Sequence, residues 1–227
     1  MLIRKDSKYE PKTINDIIWG NAESRLRIED IVSGAEALPY CGKSAILLYG
    51  VFGTGKTTLA NLLPNAIEKG RVNEDLAVEA DFIACQQGFN GPQVMSLIER
   101  VLSKTSFNAS GLHYFVLDEV DNLTKLAQQS LKSALNTNRG IFILTTNNIS
   151  ELDKGLKDRC VLVEMNAAAV SDYLPLAKNL VSDMGVVMSD DDLLPTISAA
   201  KGSLRNLIHN VERLARRSNP PPPNIIF

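Results

Sequence analysis

Apolar residues fall along this chain in two rhythms. Five short, mainly apolar runs, Ala45 to Tyr49, Val78 to Cys85, Tyr114 to Leu117, Ile141 to Leu144 and Cys160 to Val163, alternate with stretches whose apolar positions recur every three or four residues. Runs that short have the pattern of strands covered on both faces, whereas the wider spacing belongs to helices with one buried side. The spacing predicts helices over Thr57 to Leu63, stopped by Pro64, over Pro92 to Leu102 and over Thr124 to Leu135. Strands alternating with helices give an α/β fold, a five-stranded parallel sheet between helices.

After Glu164 the strand pattern stops. Ala167 to Met184, Asp190 to Ala200 and Leu204 to Arg217 read as three helices joined at Gly185 and Gly202, a small all-helical lid. The expected organisation is an α/β domain over 1–164, a lid over 165–217 and a proline-rich tail over 218–227. The tail's prolines, Pro220 to Pro223, offer no backbone donors and lead into an apolar tip ending at Phe227. It reads either as a loose end or as a docking peptide.

Composition narrows the classes. With 44% hydrophobic and 22% charged residues the chain can bury a core, which excludes disorder as its main state. The 24 basic residues nearly balance the 26 acidic ones, so contact with nucleic acid must come from a local patch. Cys41, Cys85 and Cys160 are too few and too scattered for a disulfide framework or a zinc site, which suits a reducing setting. Charge follows directly on the first apolar residues and no apolar run has membrane length, so a cytoplasmic protein without a membrane span is expected.

Three segments carry chemistry. Gly50-Val-Phe-Gly-Thr-Gly-Lys-Thr57 is a complete G-x-x-x-x-G-K-[ST] loop after a strand and before a helix. Its backbone N–H groups would wrap a β-phosphate, Lys56 would reach the β- and γ-phosphates, and the Thr57 hydroxyl would ligate Mg2+. Val51, Phe52, Gly53, Thr54, Gly55 and Thr58 complete the nucleotide-binding loop. Tyr114-Phe-Val-Leu-Asp-Glu119 ends a strand in two carboxylates; Asp118 suits the Mg2+ shell and Glu119 the abstraction of a proton from attacking water. An acid pair favoured by a helix dipole is the plainer reading. Third, the run Ile141 to Leu144 leads into Thr145-Thr-Asn-Asn148. Asn147 would lie beside the γ-phosphate if this strand separates the other two; Asn as a turn former is the alternative.

In this order the motifs resemble AAA+ ATPases, and among them the ATPase subunits of sliding-clamp loaders, cellular and phage. Asp118-Glu-Val-Asp-Asn-Leu-Thr-Lys-Leu-Ala-Gln-Gln-Ser-Leu-Lys132 resembles the loader acid box and following helix, and Leu156-Lys-Asp-Arg-Cys160 its Ser-Arg-Cys element. Gly202-Ser-Leu-Arg205 resembles the second sensor, and Lys8-Tyr-Glu-Pro11 with Ile17-Ile-Trp-Gly20 the adenine-lining segment. The resemblance implies ATP with Mg2+, an adenine pocket made by Tyr9, Pro11, Ile18, Trp19 and Gly20, and Asn147 as first sensor. It implies that Arg205 touches the γ-phosphate in cis and that Arg159 serves the neighbouring subunit's site as an arginine finger. The implied partners are further subunits in a homo- or hetero-oligomeric ring or spiral, DNA, and a sliding clamp or other client met through the tail.

Departures bear on the interface. Glu10 replaces an Arg, Asn136 stands where a Glu is common, Asp158 replaces the serine before Arg159, and the four-cysteine zinc module is absent. Loader subunits also carry a third, collar domain; here the proline run follows the lid, so another chain supplies the collar, it was removed, or the branch lacks one. Arg100, Lys104, Lys125, Lys132 and Arg139 are the candidate DNA contacts, and solvated helix faces are their other reading. His113 and His209 read as ordinary strand-flanking and lid residues. Three rivals remain: an AAA+ ATPase with another client (helicase loading, transposition regulation or defence), a small-molecule kinase, for which Glu119 has no use, and a nucleotide-locked scaffold.

Overall fold

The computed structural model describes residues 6–73, 77–85 and 91–218. Its strands are β1 (Ala45–Tyr49), β2 (Ala80–Ala84), β3 (His113–Asp118), β4 (Gly140–Thr146) and β5 (Cys160–Glu164). They form one sheet in the order β2-β3-β4-β1-β5, with every pairing parallel. Helices α1 (Asp6–Tyr9), α2 (Ala22–Ser33), α3 (Lys56–Val72), α4 (Gly91–Leu102), α5 (Lys125–Ala134) and α6 (Lys154–Asp158) surround it, and α7 (Leu174–Asp183), α8 (Asp190–Ala199) and α9 (Leu204–Ser218) follow. This is the expected α/β fold with its helical lid. Among the described residues no helix is long and apolar enough to cross a membrane.

Alternation along each central strand builds two cores at once. Ile46, Leu48, Tyr114, Val116, Ile141 and Ile143 turn to one face and meet Ile28 and Ile31 of α2 and Leu59, Leu63 and Ile67 of α3. Leu47, Phe115, Leu117, Phe142 and Leu144 turn to the other and meet Val94 and Ile98 of α4 and Ala127 and Leu131 of α5. There Phe115 stacks on Phe142 with centroids 4.7 Å apart, an offset aromatic pair of about 1 kcal/mol beyond its burial.

The structure corrects three expectations. Pro64 does not stop its helix: α3 runs on to Val72 with Pro64 inside. The apolar stripe Leu59, Ala60, Leu63, Ile67 continues through it and Pro64 itself is buried, so packing outweighs a lost backbone bond. β2 is not covered on both faces; it is the sheet's edge, and Phe82 is 52% exposed. The first lid helix starts at Leu174 rather than Ala167, because a 3-10 turn over Val170–Tyr173 and Pro175 set its beginning. Helix α2, capped by Asn21 and ended by Gly34 at φ +82°, and the short α6 were not foreseen. The proline-rich tail beyond Ser218 lies outside the described residues.

Two further features set the mechanics. Glu68, 1% exposed, accepts hydrogen bonds from the Ser110 N–H at 2.7 Å, the Ser110 hydroxyl at 2.6 Å and the Tyr114 hydroxyl at 2.7 Å. Burial alone would raise its pKa, but these donors outweigh it and hold the carboxyl below its ordinary value. The lid helices close around Tyr173, Leu180, Leu193, Leu207 and Val211, and Tyr9 and Ile18 pack on the same cluster while Ile17 and Trp19 join the sheet's. The N-terminal segment therefore bridges sheet and lid.

Candidate active site

At the carboxyl end of β1 the chain turns into α3 through Gly50, Gly53 and Gly55, with φ of +143°, +79° and +92°. A Cβ on Gly50 would come within 2.5 Å of the Met165 carbonyl oxygen, so the loop's first glycine is also demanded by packing. Gly55 precedes α3 without a side-chain cap, which leaves the N–H groups of the first turn free for an anion. Lys56 donates to the carbonyls of Gly50 at 2.9 Å and Val51 at 2.7 Å. Burial pulls its pKa below the ordinary value, opposed by the carboxylates of Asp121, Asp118 and Glu119.

β4 lies between β1 and β3, the condition under which its polar tip meets the phosphate loop. The Thr57 hydroxyl donates to Asp118 Oδ1 at 2.9 Å and the Thr145 hydroxyl to the same oxygen at 2.6 Å. Thr145 in turn accepts the Glu119 backbone N–H at 2.9 Å. Glu119 sits in the left-handed region at φ +58°, a conformation that non-glycine residues hold only when neighbours fix it. The Asn122 amide donates to Glu119 Oε2 at 3.2 Å and to the Cys85 carbonyl at 3.1 Å. Asp121 Oδ1 is buried and without a hydrogen-bond partner among the described residues.

These groups fit Mg2+ and a triphosphate. The convergent donors are hard oxygens, Thr57 Oγ1 and Asp118 Oδ1, next to an uncapped helix start and a lysine. Asn147 lines a cavity of about 510 Å³ together with Phe52, Asp121, Asn122, Asn148 and Glu151. Asn148 is occupied locally, donating to Glu151 at 3.2 Å and accepting from Ser150 at 2.6 Å.

Lid and loop touch through backbone. The Leu204 N–H donates to the Gly53 carbonyl at 2.9 Å, and a Cβ on Gly53 would come within 2.3 Å of Ser203 Oγ. Arg205, exposed, is the next residue of α9. Gly20 packs where a Cβ would lie 2.4 Å from the Asn166 carbonyl oxygen, and the Tyr9 hydroxyl bonds Asp183 of α7. Pro11, Ile18 and Trp19 are partly buried along this segment.

Arg159 stands elsewhere. Its backbone carbonyl accepts the Ser44 N–H, which places it at the amino end of β1. The five residues of β1 separate Ser44 from the phosphate loop, a rise of about 20 Å from Ser44 to Gly50. Its side chain donates to Asn136 Oδ1 at 2.9 Å and to the Gly155 carbonyl at 2.9 Å. The DNA candidates divide as well. Lys125 opens α5, Lys132 pairs with Asp153 at 3.8 Å, and Arg139 donates to the Lys104 carbonyl at 3.0 Å, past the end of α4, whose last turn carries Arg100.

Sequence reasoning passed over Thr145, Asn122 and Asp121. The last two stand inside the quoted acid box, where their spacing from Glu119 was the available signal. Thr145 gave none, because only the β3–β4 register reveals its partners.

The class follows from the assembled phosphate loop, acid pair and strand order. Residues 46–166 match the ATPase family associated with various cellular activities (AAA), and the chain belongs to that family. It is similar to replication factor C small subunit 2 of Pyrobaculum islandicum, 27% identical over 211 residues, and to replication factor C subunit 4 of Saccharomyces cerevisiae, 26% identical over 208 residues. Each alignment covers 90% of this chain and 61% of the relative, so the chain spans about three fifths of the curated relatives' length. In fold it is similar to the Holliday junction branch migration motor RuvB of Thermotoga maritima, with a TM-score of 0.66 and 19% identity over 90% of this chain and 64% of that one.

Proposed function

We propose that this chain is an ATP-hydrolysing subunit of a clamp-loader-type assembly, in which an α/β domain over 1–164 and a lid over 165–217 close on Mg-ATP at a junction between subunits. The loop N–H groups and Lys56 hold the β- and γ-phosphates. Mg2+, held by Thr57 and Asp118, would offset the phosphates' charge. Glu119 takes the proton of the attacking water, which Asn147 orients. Arg205 reaches the γ-phosphate from the lid, and Tyr9, Pro11, Ile18, Trp19 and Gly20 receive the base between lid and sheet.

The observation that carries this reading is the separation of the charged groups. Lys56, Asp118, Glu119 and Asn147 meet at the carboxyl end of the sheet, whereas Arg159 is presented at its amino end, beyond reach of its own loop. A cation so placed completes the site of a second subunit, where it stabilises charge on the transferred phosphoryl group. ATP then favours assembly, and loss of the γ-phosphate removes the contacts of Asn147, Arg159 and Arg205 together. DNA and a clamp are the partners in keeping with the replication factor C relatives, with Arg100, Lys104, Lys125, Lys132 and Arg139 as candidate phosphate contacts.

The test is particle mass by light scattering with a non-hydrolysable ATP analogue, with and without primed DNA. The proposal expects an analogue-dependent oligomer, and an equimolar mixture of Arg159→Ala and Lys56→Ala chains that hydrolyses ATP faster than either alone. A fully active monomer overturns it.

A further inference from the structure

The hydroxyl of Thr145 touches both members of the acid pair and belongs to neither phosphate loop nor acid box. It is 1% exposed on β4, between β1 and β3. A hydroxyl has one proton to give and two lone pairs to receive with. Thr145 gives its proton to Asp118 Oδ1 at 2.6 Å and receives the Glu119 N–H at 2.9 Å. The β3–β4 ladder ends with Leu117 opposite Leu144. Beyond that point the Glu119 N–H takes the Thr145 side chain as its acceptor, just where Glu119 adopts φ +58°.

We propose that Thr145 is a positioning residue that sets the aim of both carboxylates, fixing Asp118 as an oxygen donor for a divalent cation and Glu119 in its left-handed backbone conformation. The inference rests on the reading of Asp118 and Glu119 given above. Three properties suit Thr145 to the task. Its branched side chain has few rotamers, so the hydroxyl cannot swing away cheaply. Its proton direction is set at both ends, because the backbone donor occupies one lone pair and leaves the proton for Asp118. Its burial keeps water from replacing either bond. Asp118 Oδ1 thus has one donor that is free to turn toward a ligand, the Thr57 hydroxyl on the open side, and one that is not. Asn147 is two residues further along the same segment, so a shift of this strand end moves the acids and the cavity wall together.

The test compares Thr145→Val, which keeps the shape and removes the hydroxyl, with Thr145→Ser, which restores it. The readout is the gain in affinity for a fluorescent ATP analogue as Mg2+ is titrated in, measured beside the affinity without Mg2+. Outer-sphere partners of metal-ligating carboxylates typically matter by about 10–100-fold, so Thr145→Val should raise the Mg2+ concentration needed by at least about tenfold and leave metal-free binding unchanged. Thr145→Ser should return within about threefold of the parent. A Val variant with the parental Mg2+ response, or a Ser variant as impaired as Val, overturns the proposal. Should Thr145→Val fail to fold, Thr145→Ala against Thr145→Ser is read in the same way. Because the readout needs no turnover, a Glu119→Gln chain that still hydrolyses ATP would sink the base assignment without touching this result.

Discussion

The two ends of the sheet are built differently. At the carboxyl end five residues from two strands, a helix and the turn after β3 share hydrogen bonds in one knot: Thr57 and Thr145 on one oxygen of Asp118, Glu119 on Thr145, Asn122 on Glu119. At the amino end the Arg159 side chain has two hydrogen bonds among the described residues, one to a side chain and one to a carbonyl, and no carboxylate pairs with it there. On the proposed function, the groups aimed at the phosphates are braced from several elements, whereas the arginine proposed to enter a neighbour's site is held lightly.

That contrast can be broken by mutation, and the largest effect is expected at the lightly held end. Arg159→Ala should lower steady-state ATP hydrolysis by about a thousandfold while nucleotide affinity, read by equilibrium titration, stays parental. Glu119→Gln should lower turnover by about a hundredfold or more in rapid-quench assays and leave ATP bound and the particle assembled. If Arg159→Ala instead weakened ATP binding in a monomer, the two ends would not be divided between molecules.

Smaller effects sharpen the picture inside the chain. Tyr114→Phe removes one donor from the buried Glu68 carboxylate and should cost about 1.5 kcal/mol in urea unfolding, without altering ATP affinity. The sign with pH follows from Glu68 lying below its ordinary 4.5. Its contribution is present above that pH and is lost as acid carries it through the lower folded value, so the parent should lose more stability on acidification than Glu68→Gln. Gly53→Ala, at φ +79° and facing Ser203, should cost about 1 kcal/mol and weaken lid closure, read as faster proteolysis in the lid.

Much of this was legible beforehand, and the reasons are physical. The central strands were readable because burial on both faces leaves continuous apolar letters, and the phosphate loop because its glycines have backbone conformations few residues share. Pro64 misled because local propensity gave way to packing along α3. β2 misled because its letters resemble a covered strand although it lies at the sheet's edge, with Phe82 half exposed. Asp118 and Glu119 could be found by their type; Thr145 could not, since a threonine after a strand is ordinary until the register shows what it faces.

The bond from the Leu204 N–H to the Gly53 carbonyl joins lid to loop using peptide atoms alone. On the donor's side such a clasp is indifferent to the side chain at position 204. Nineteen of the residue types could occupy position 204 and still make it, and proline, which has no amide hydrogen, could not. A side-chain scan confined to position 204 would therefore leave this bond in place, and Leu204→Pro is the substitution there that would remove it.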